Sequence, residues 1–150
     1  MKVSVVIPHY QEEPGILVRA LQSLYAWQLS GGDVLEELKG NEGYERSDRE
    51  LAEAIVRGVR EGEEGLKALI APHVDRPLER LSPVERAILY IGAFELRTHP
   101  ETPFKVVINE AVELGKSFGG AEGHRFVNGV LEKVAAALRP DEMAKARRNA

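Results

Sequence analysis

Four histidines, at positions 9, 73, 99 and 124, are the side chains best suited to acid–base or metal chemistry in this chain. None is expected to pair with a carboxylate or a second histidine at ligand spacing, and no cysteine is present to serve as nucleophile, disulfide partner or soft metal ligand. His73 follows Pro72 and His99 precedes Pro100, which reads both as loop residues, while His124 reads as a helix-start residue. The expectation is therefore no catalytic residue, no metal and no cofactor. A second chemistry, recognition of single-stranded RNA, needs aromatic faces for bases and cations for phosphates. Phe118 stands beside Gly119-Gly120 and Phe126 opens the helix that follows, so the two rings can flank one loop, with Lys116 and Arg125 as nearby cations. Residue type alone favours the core for either phenylalanine, and leaves Tyr25, next to the stripe residue Leu24, balanced between a core and a surface role.

Composition sets the frame for these side chains. A chain of 150 residues with 43% hydrophobic and 29% charged residues is an ordinary globular unit, long enough for one core or two small helical subdomains sharing an interface. The net charge of -4 conceals an asymmetry: residues 33–64 hold eleven acidic and five basic side chains, residues 65–150 eleven acidic and thirteen basic. An RNA surface should avoid the acidic stretch. The apolar run Val3 to Ile7 ends at Pro8 and is too short for a membrane span or a signal-peptide core, so no membrane partner and a cytoplasmic location are expected.

The elements that must position the candidates are helices. Pro14 suits a first helical position, Leu17, Leu21 and Leu24 form a stripe, and Gly31-Gly32 supplies a stop, which predicts a helix over about 14–30. Ser47-Asp48-Arg49-Glu50 is a capping box opening a helix that carries Leu51, Ile55, Val59, Leu66 and Ile70 and ends near Pro72, with Gly58, Gly62 and Gly65 expected to bend or split it. Lys39 to Arg46 reads as an acidic surface loop. Ser82-Pro83-Val84-Glu85 repeats the cap and starts a helix running to about Arg97, and Thr102-Pro103 opens the next, whose stripe is Val107, Ala111, Leu114 and Phe118. A final helix with Val127, Val130, Leu131, Val134 and Leu138 on one face should end before Pro140 and leave a polar tail. Asn109-Glu110 and Asn128-Gly129 read as structural signatures that satisfy buried polar groups.

Those helices contain phrases found together in one family. Ala20-Leu21-Gln22-Ser23-Leu24-Tyr25-Ala26-Trp27-Gln28-Leu29-Ser30, Glu85 to Leu96, Pro103 to Gly119, and His124-Arg125-Phe126-Val127-Asn128-Gly129-Val130-Leu131 resemble the NusB family in order and spacing over about residues 20–139. The resemblance implies an all-α, NusB-like helical bundle of two packed subdomains. It implies a non-enzymatic transcription antitermination factor that binds boxA-type RNA together with NusE, a small-subunit ribosomal protein, within the RNA polymerase antitermination complex. It assigns RNA contacts to Tyr25, Lys116, Phe118, Arg125 and Phe126, and faces toward NusE to Glu85 and Lys105; Glu85 also reads as a capping-box member.

The match breaks at the start. Members of that family usually enter the first helix from an arginine-rich arm, whereas Glu13-Pro14-Gly15-Ile16-Leu17 stands here. The segment Val3 to Glu13 instead resembles the first strand and turn of GT-A glycosyltransferases, without the Asp-x-Asp motif or strand-helix alternation of such an enzyme. The expected divisions are an atypical, extended arm at 1–13, a helical domain at 14–139 and a polar tail at 140–150, in which Lys145, Arg147 and Arg148 read as a solvated end. Without the basic arm, RNA affinity should fall and its salt dependence flatten, so a protein-only helical adaptor is the alternative function.

Overall fold

The computed structural model describes residues 15–32, 46–120 and 122–149, and these are helical with short connections. The arm at 1–13 and most of the acidic loop lie outside the described residues. The order is α1 (Gly15–Ser30), α2 (Arg46–Glu61), α3 (Glu63–Ile70), two 3-10 turns (Ala71–His73 and Leu78–Arg80), α4 (Pro83–Thr98), α5 (Phe104–Phe118), α6 (Gly123–Leu138) and α7 (Pro140–Arg148). Among the described residues there is no strand, as an all-α reading requires.

Each boundary has a local cause. Gly31 takes φ +71, a conformation open to glycine, and its amide donates to the Trp27 carbonyl at 2.7 Å to close α1. The Ser82 hydroxyl accepts the Glu85 amide at 3.0 Å, and Pro83 occupies the first turn of α4. The long second helix is split at Gly62, where α3 begins. A β-carbon at Gly58 would fall 2.2 Å from the Phe94 ring, and one at Gly62 2.6 Å from the Arg97 guanidinium, so these glycines seat two side chains of α4.

Helix α4 is the axis of the molecule. Residues Ala87 to Leu96 are all buried, the pattern of a helix covered on every side rather than along one stripe. It packs against α1, α2 and α3 on one flank and against α5 and α6 on the other, which makes it the shared wall of two helical groups. The Tyr90 hydroxyl donates to Glu63 on α3 at 3.1 Å, and the Gln28 carboxamide at the end of α1 donates to the Pro83 carbonyl at 2.9 Å while accepting from Arg86. Close packing of α5 on α6 depends on Gly115, since a β-carbon there would lie 2.9 Å from the His124 Cα.

Beyond Leu138 the expected polar tail is a further helix. α7 packs on α6 and buries Met143, because Pro140 sits in its first turn, where a missing N–H costs nothing. Arg139, at the junction, is 8% exposed. Its guanidinium donates to the carbonyls of Leu96, His99 and Thr102 and to the Glu142 carboxylate, and Glu142 in turn accepts the Phe104 amide at 2.8 Å. A cation thus caps the carboxyl end of α4 and an anion the amino end of α5, the favourable sense for both helix dipoles.

Candidate nucleic-acid interface

The RNA candidates fall into two groups in space. Tyr25 on α1 and Phe118 at the end of α5 come together, walling a groove of about 220 Å³ that is also lined by Leu21, Gln22 and Val84. They are 40% and 43% exposed, two of the few large apolar side chains the described surface leaves open. Tyr25 is on the surface because it follows Leu24, which turns into the core. Phe118 continues the stripe of Val107, Ala111 and Leu114, but α5 stops at it, and its ring is left partly exposed. Reading the stripe alone placed that ring in the core; its position at the helix end puts it in solvent.

Phe126 behaves differently. It is half-buried against the core, and the Arg76 guanidinium sits 5.8 Å from its ring centroid, so the ring turns toward the segment between the two 3-10 turns. The groove lining does not include it, and proximity to Phe118 along the chain does not become a shared site. Arg76 is a basic residue that the sequence reading did not single out, and its ring partner is fifty residues away.

The candidate cations are exposed and loosely held. Lys116 pairs with Glu113 at 3.3 Å and Arg125 with Glu122 at 3.2 Å, both at i, i+3. Surface pairs of this kind contribute little, so either cation can exchange its carboxylate for a phosphate at small cost.

Glu85 and Lys105 are not neighbours. Glu85 lies in the first turn of α4, half-buried, with its carboxylate against Gly123 at the start of α6. Lys105 is in the first turn of α5, beyond the opposite end of α4, where it lines a groove of about 300 Å³ with Asn109, Asn128 and Arg147 among others. The two asparagines were expected to satisfy buried groups; instead Asn109 is exposed, and Asn128 donates to Glu132 at 3.2 Å.

One histidine also departs from the sequence reading. His99 caps α4, and its Nδ1 lies 2.7 Å from Oε2 of the buried Glu95 one turn earlier, the carboxylate pairing that was not expected of it. That bond holds the imidazole above its ordinary value against the opposing effect of burial. No cluster of three or more His, Cys, Asp or Glu is placed to hold a metal among the described residues, and no described helix is long and apolar enough to cross a membrane.

Comparison with known proteins gives this arrangement a context. The NusB family model matches residues 18–136. The transcription antitermination protein NusB of Paraburkholderia phytofirmans is 53% identical over 132 residues, covering 86% of this chain and 92% of the relative. That of Burkholderia cenocepacia is 53% identical over 133 residues, 87% of this chain and 91% of the relative. Among solved structures, that of T. maritima NusB superposes with a TM-score of 0.79 at 26% identity, covering 86% of this chain and 94% of that one. A structure of antitermination factors NusB and NusE with double-stranded RNA gives 0.75 at 28% identity, covering 82% and 95%.

Proposed function

We propose, from the premise that this chain belongs to the NusB family, that it is a non-enzymatic transcription antitermination and elongation factor that binds boxA-type RNA together with NusE. Its place of work is the RNA polymerase antitermination complex in the cytoplasm, with a link to transcription of ribosomal RNA. The observation that carries the reading is the meeting of Tyr25 and Phe118 around one open groove. Two helices distant in sequence bring their rings to a single surface and leave them uncovered, which suits base stacking better than it suits stability.

Lys116 and Arg125, exposed and paired only with surface carboxylates, are the proposed phosphate contacts, and Phe126 under Arg76, outside the groove, is a separate proposed ring contact. Phosphate contacts give affinity and the rings give the preference for unpaired bases. Glu85 and Lys105 are the proposed contacts to NusE, and their separation calls for a partner that runs along the length of α4.

Titration of the full chain with boxA-containing RNA, alone and with NusE, tests the reading. Binding that strengthens when NusE is added is the expected result. Undiminished NusE binding with no RNA binding at any salt concentration would replace it with the protein-only adaptor.

A further inference from the structure

We propose that the trough between α5, α6 and α7 seats an acidic peptide segment of a further protein partner, one that carries apolar side chains among its carboxylates. The inference goes beyond the binding of RNA and NusE, and Lys105 is the one residue common to both. The trough has two hollows, of about 300 and 330 Å³, which share Phe104, Lys105 and Ala146. It exists because Arg139 and Glu142 tie the start of α7 to the Thr102 carbonyl and the Phe104 amide, which sets α7 beside the first turns of α5.

Floor and rim differ in kind. Phe104, Ile108 and Met143 form the floor and are 8%, 4% and 9% exposed, so apolar side chains that settle on them leave water. Around them stand three exposed cations, Lys105, Lys145 and Arg147, and none has an ion pair or side-chain hydrogen bond with another described residue. Lys116 and Arg125 are the contrast, each already paired with a carboxylate on its own helix or turn. Two carboxylates also line the trough. Glu142 is held by the Arg139 guanidinium and the Phe104 amide, while Glu132 accepts from Asn128 and keeps its charge. Three open cations therefore face one open carboxylate, in a chain whose net charge is -4. Electrostatic complementarity calls for an acidic partner.

The neutral groups favour a peptide over a nucleic acid. Asn109 offers a carboxamide with no partner among the described residues, and Asn128 keeps its side-chain carbonyl open after donating to Glu132. A carboxamide carries a donor and an acceptor that answer the C=O and N–H of a peptide unit. Bases need a ring face to stack on, and the ring that lines this trough, Phe104, is sunk in its floor. The trough also lies by the carboxyl end of α4, a helix of 16 residues and so about 24 Å long, whereas Tyr25 and Phe118 meet Val84 at its amino end. One molecule can hold both ligands at once.

The test uses the full chain and a fluorescein-labelled peptide with two leucines among glutamates and serines, titrated by anisotropy. Two control peptides replace the leucines by serine or the glutamates by lysine. The leucine peptide should bind about tenfold more tightly than the serine control, and the lysine peptide should not bind. Arg147→Ala and Lys145→Ala should each weaken it about two- to fivefold. Ala146→Phe, which fills the wall shared by the two hollows, should weaken it further; the two exposed alanine variants keep the test decisive if that one fails to fold. Affinity for boxA-containing RNA should not move in any of the three. No binding of the leucine peptide, equal binding of the serine control, or indifference to all three substitutions would overturn the proposal and leave RNA binding in place. RNA affinity that falls in Arg147→Ala as far as peptide affinity would give the trough to nucleic acid and overturn it likewise. Exclusion of the peptide by NusE would give the trough to NusE and overturn the assignment to a further partner.

Discussion

The two ends of α4 are finished in opposite ways. At its carboxyl end the exposed carbonyls meet a buried guanidinium, Arg139, whose own charge is answered by Glu142. At its amino end Val84 forms part of a groove whose rings, Tyr25 and Phe118, touch water. One end spends polar groups to close a corner, and the other leaves apolar surface unspent. A single helix therefore joins a closed polar corner to an open apolar groove, and substitutions at Arg139 and in the groove should have separable effects.

The largest effect is expected at the closed end. Arg139→Ala strands the Glu142 carboxylate and the carbonyls of Leu96, His99 and Thr102, and should lower unfolding free energy by about 3–5 kcal/mol, read by chemical denaturation. RNA affinity at a temperature where the variant remains folded should be unchanged. A loss below about 1 kcal/mol would mean the corner contributes no more than an ordinary surface pair.

At the open end the expectation reverses. Replacing Tyr25 and Phe118 together by alanine should cost about 1–3 kcal/mol of RNA binding for each base that stacks, with the denaturation midpoint nearly unmoved because both rings are already exposed. A fall in stability comparable to that of Arg139→Ala would erase the contrast between the two ends.

Smaller effects sharpen it. Lys116→Ala and Arg125→Ala should each reduce the slope of log affinity against log salt by about one unit, measured on the same RNA. A titration of stability isolates the His99–Glu95 pair at the closed end. His99 gains a partner on folding, so its folded pKa lies above the unfolded value, and the stabilisation is complete at low pH and lost as pH rises through the folded value. The groups around the ring are Glu95, Glu101 and Arg139. The stability gap between wild type and His99→Gln should accordingly shrink from about pH 5 to about pH 8. A gap that widens over that range would refute the pairing.

Much of this organisation was legible in the chain itself. Ser82-Pro83, Gly31 and Gly119 mark helix ends through local chemistry, and the stripes of α1, α5 and α6 gave the core because apolar spacing is a local property. What escaped was non-local. Arg139 before a proline reads as the end of a helix, and nothing in its neighbourhood announces carbonyl partners some forty residues earlier. The groove needs Tyr25, Val84 and Phe118 from three helices, and no spacing rule brings them together. The Glu95–His99 bond is different: its i, i+4 spacing stands in the sequence, and it forms because α4 runs to Thr98 with His99 as its cap, ahead of Pro100.

The Arg139 corner also has a consequence for biosynthesis. Residues 139–142 emerge from the ribosome after every helix they tie together, so α4 and α5 are made with their junction open. The corner can close only once this stretch has cleared the exit tunnel, and until then the carbonyls of Leu96 and His99 must be satisfied by water. A nascent chain paused within α6 would hold an unfinished body, exposed to chaperones and proteases.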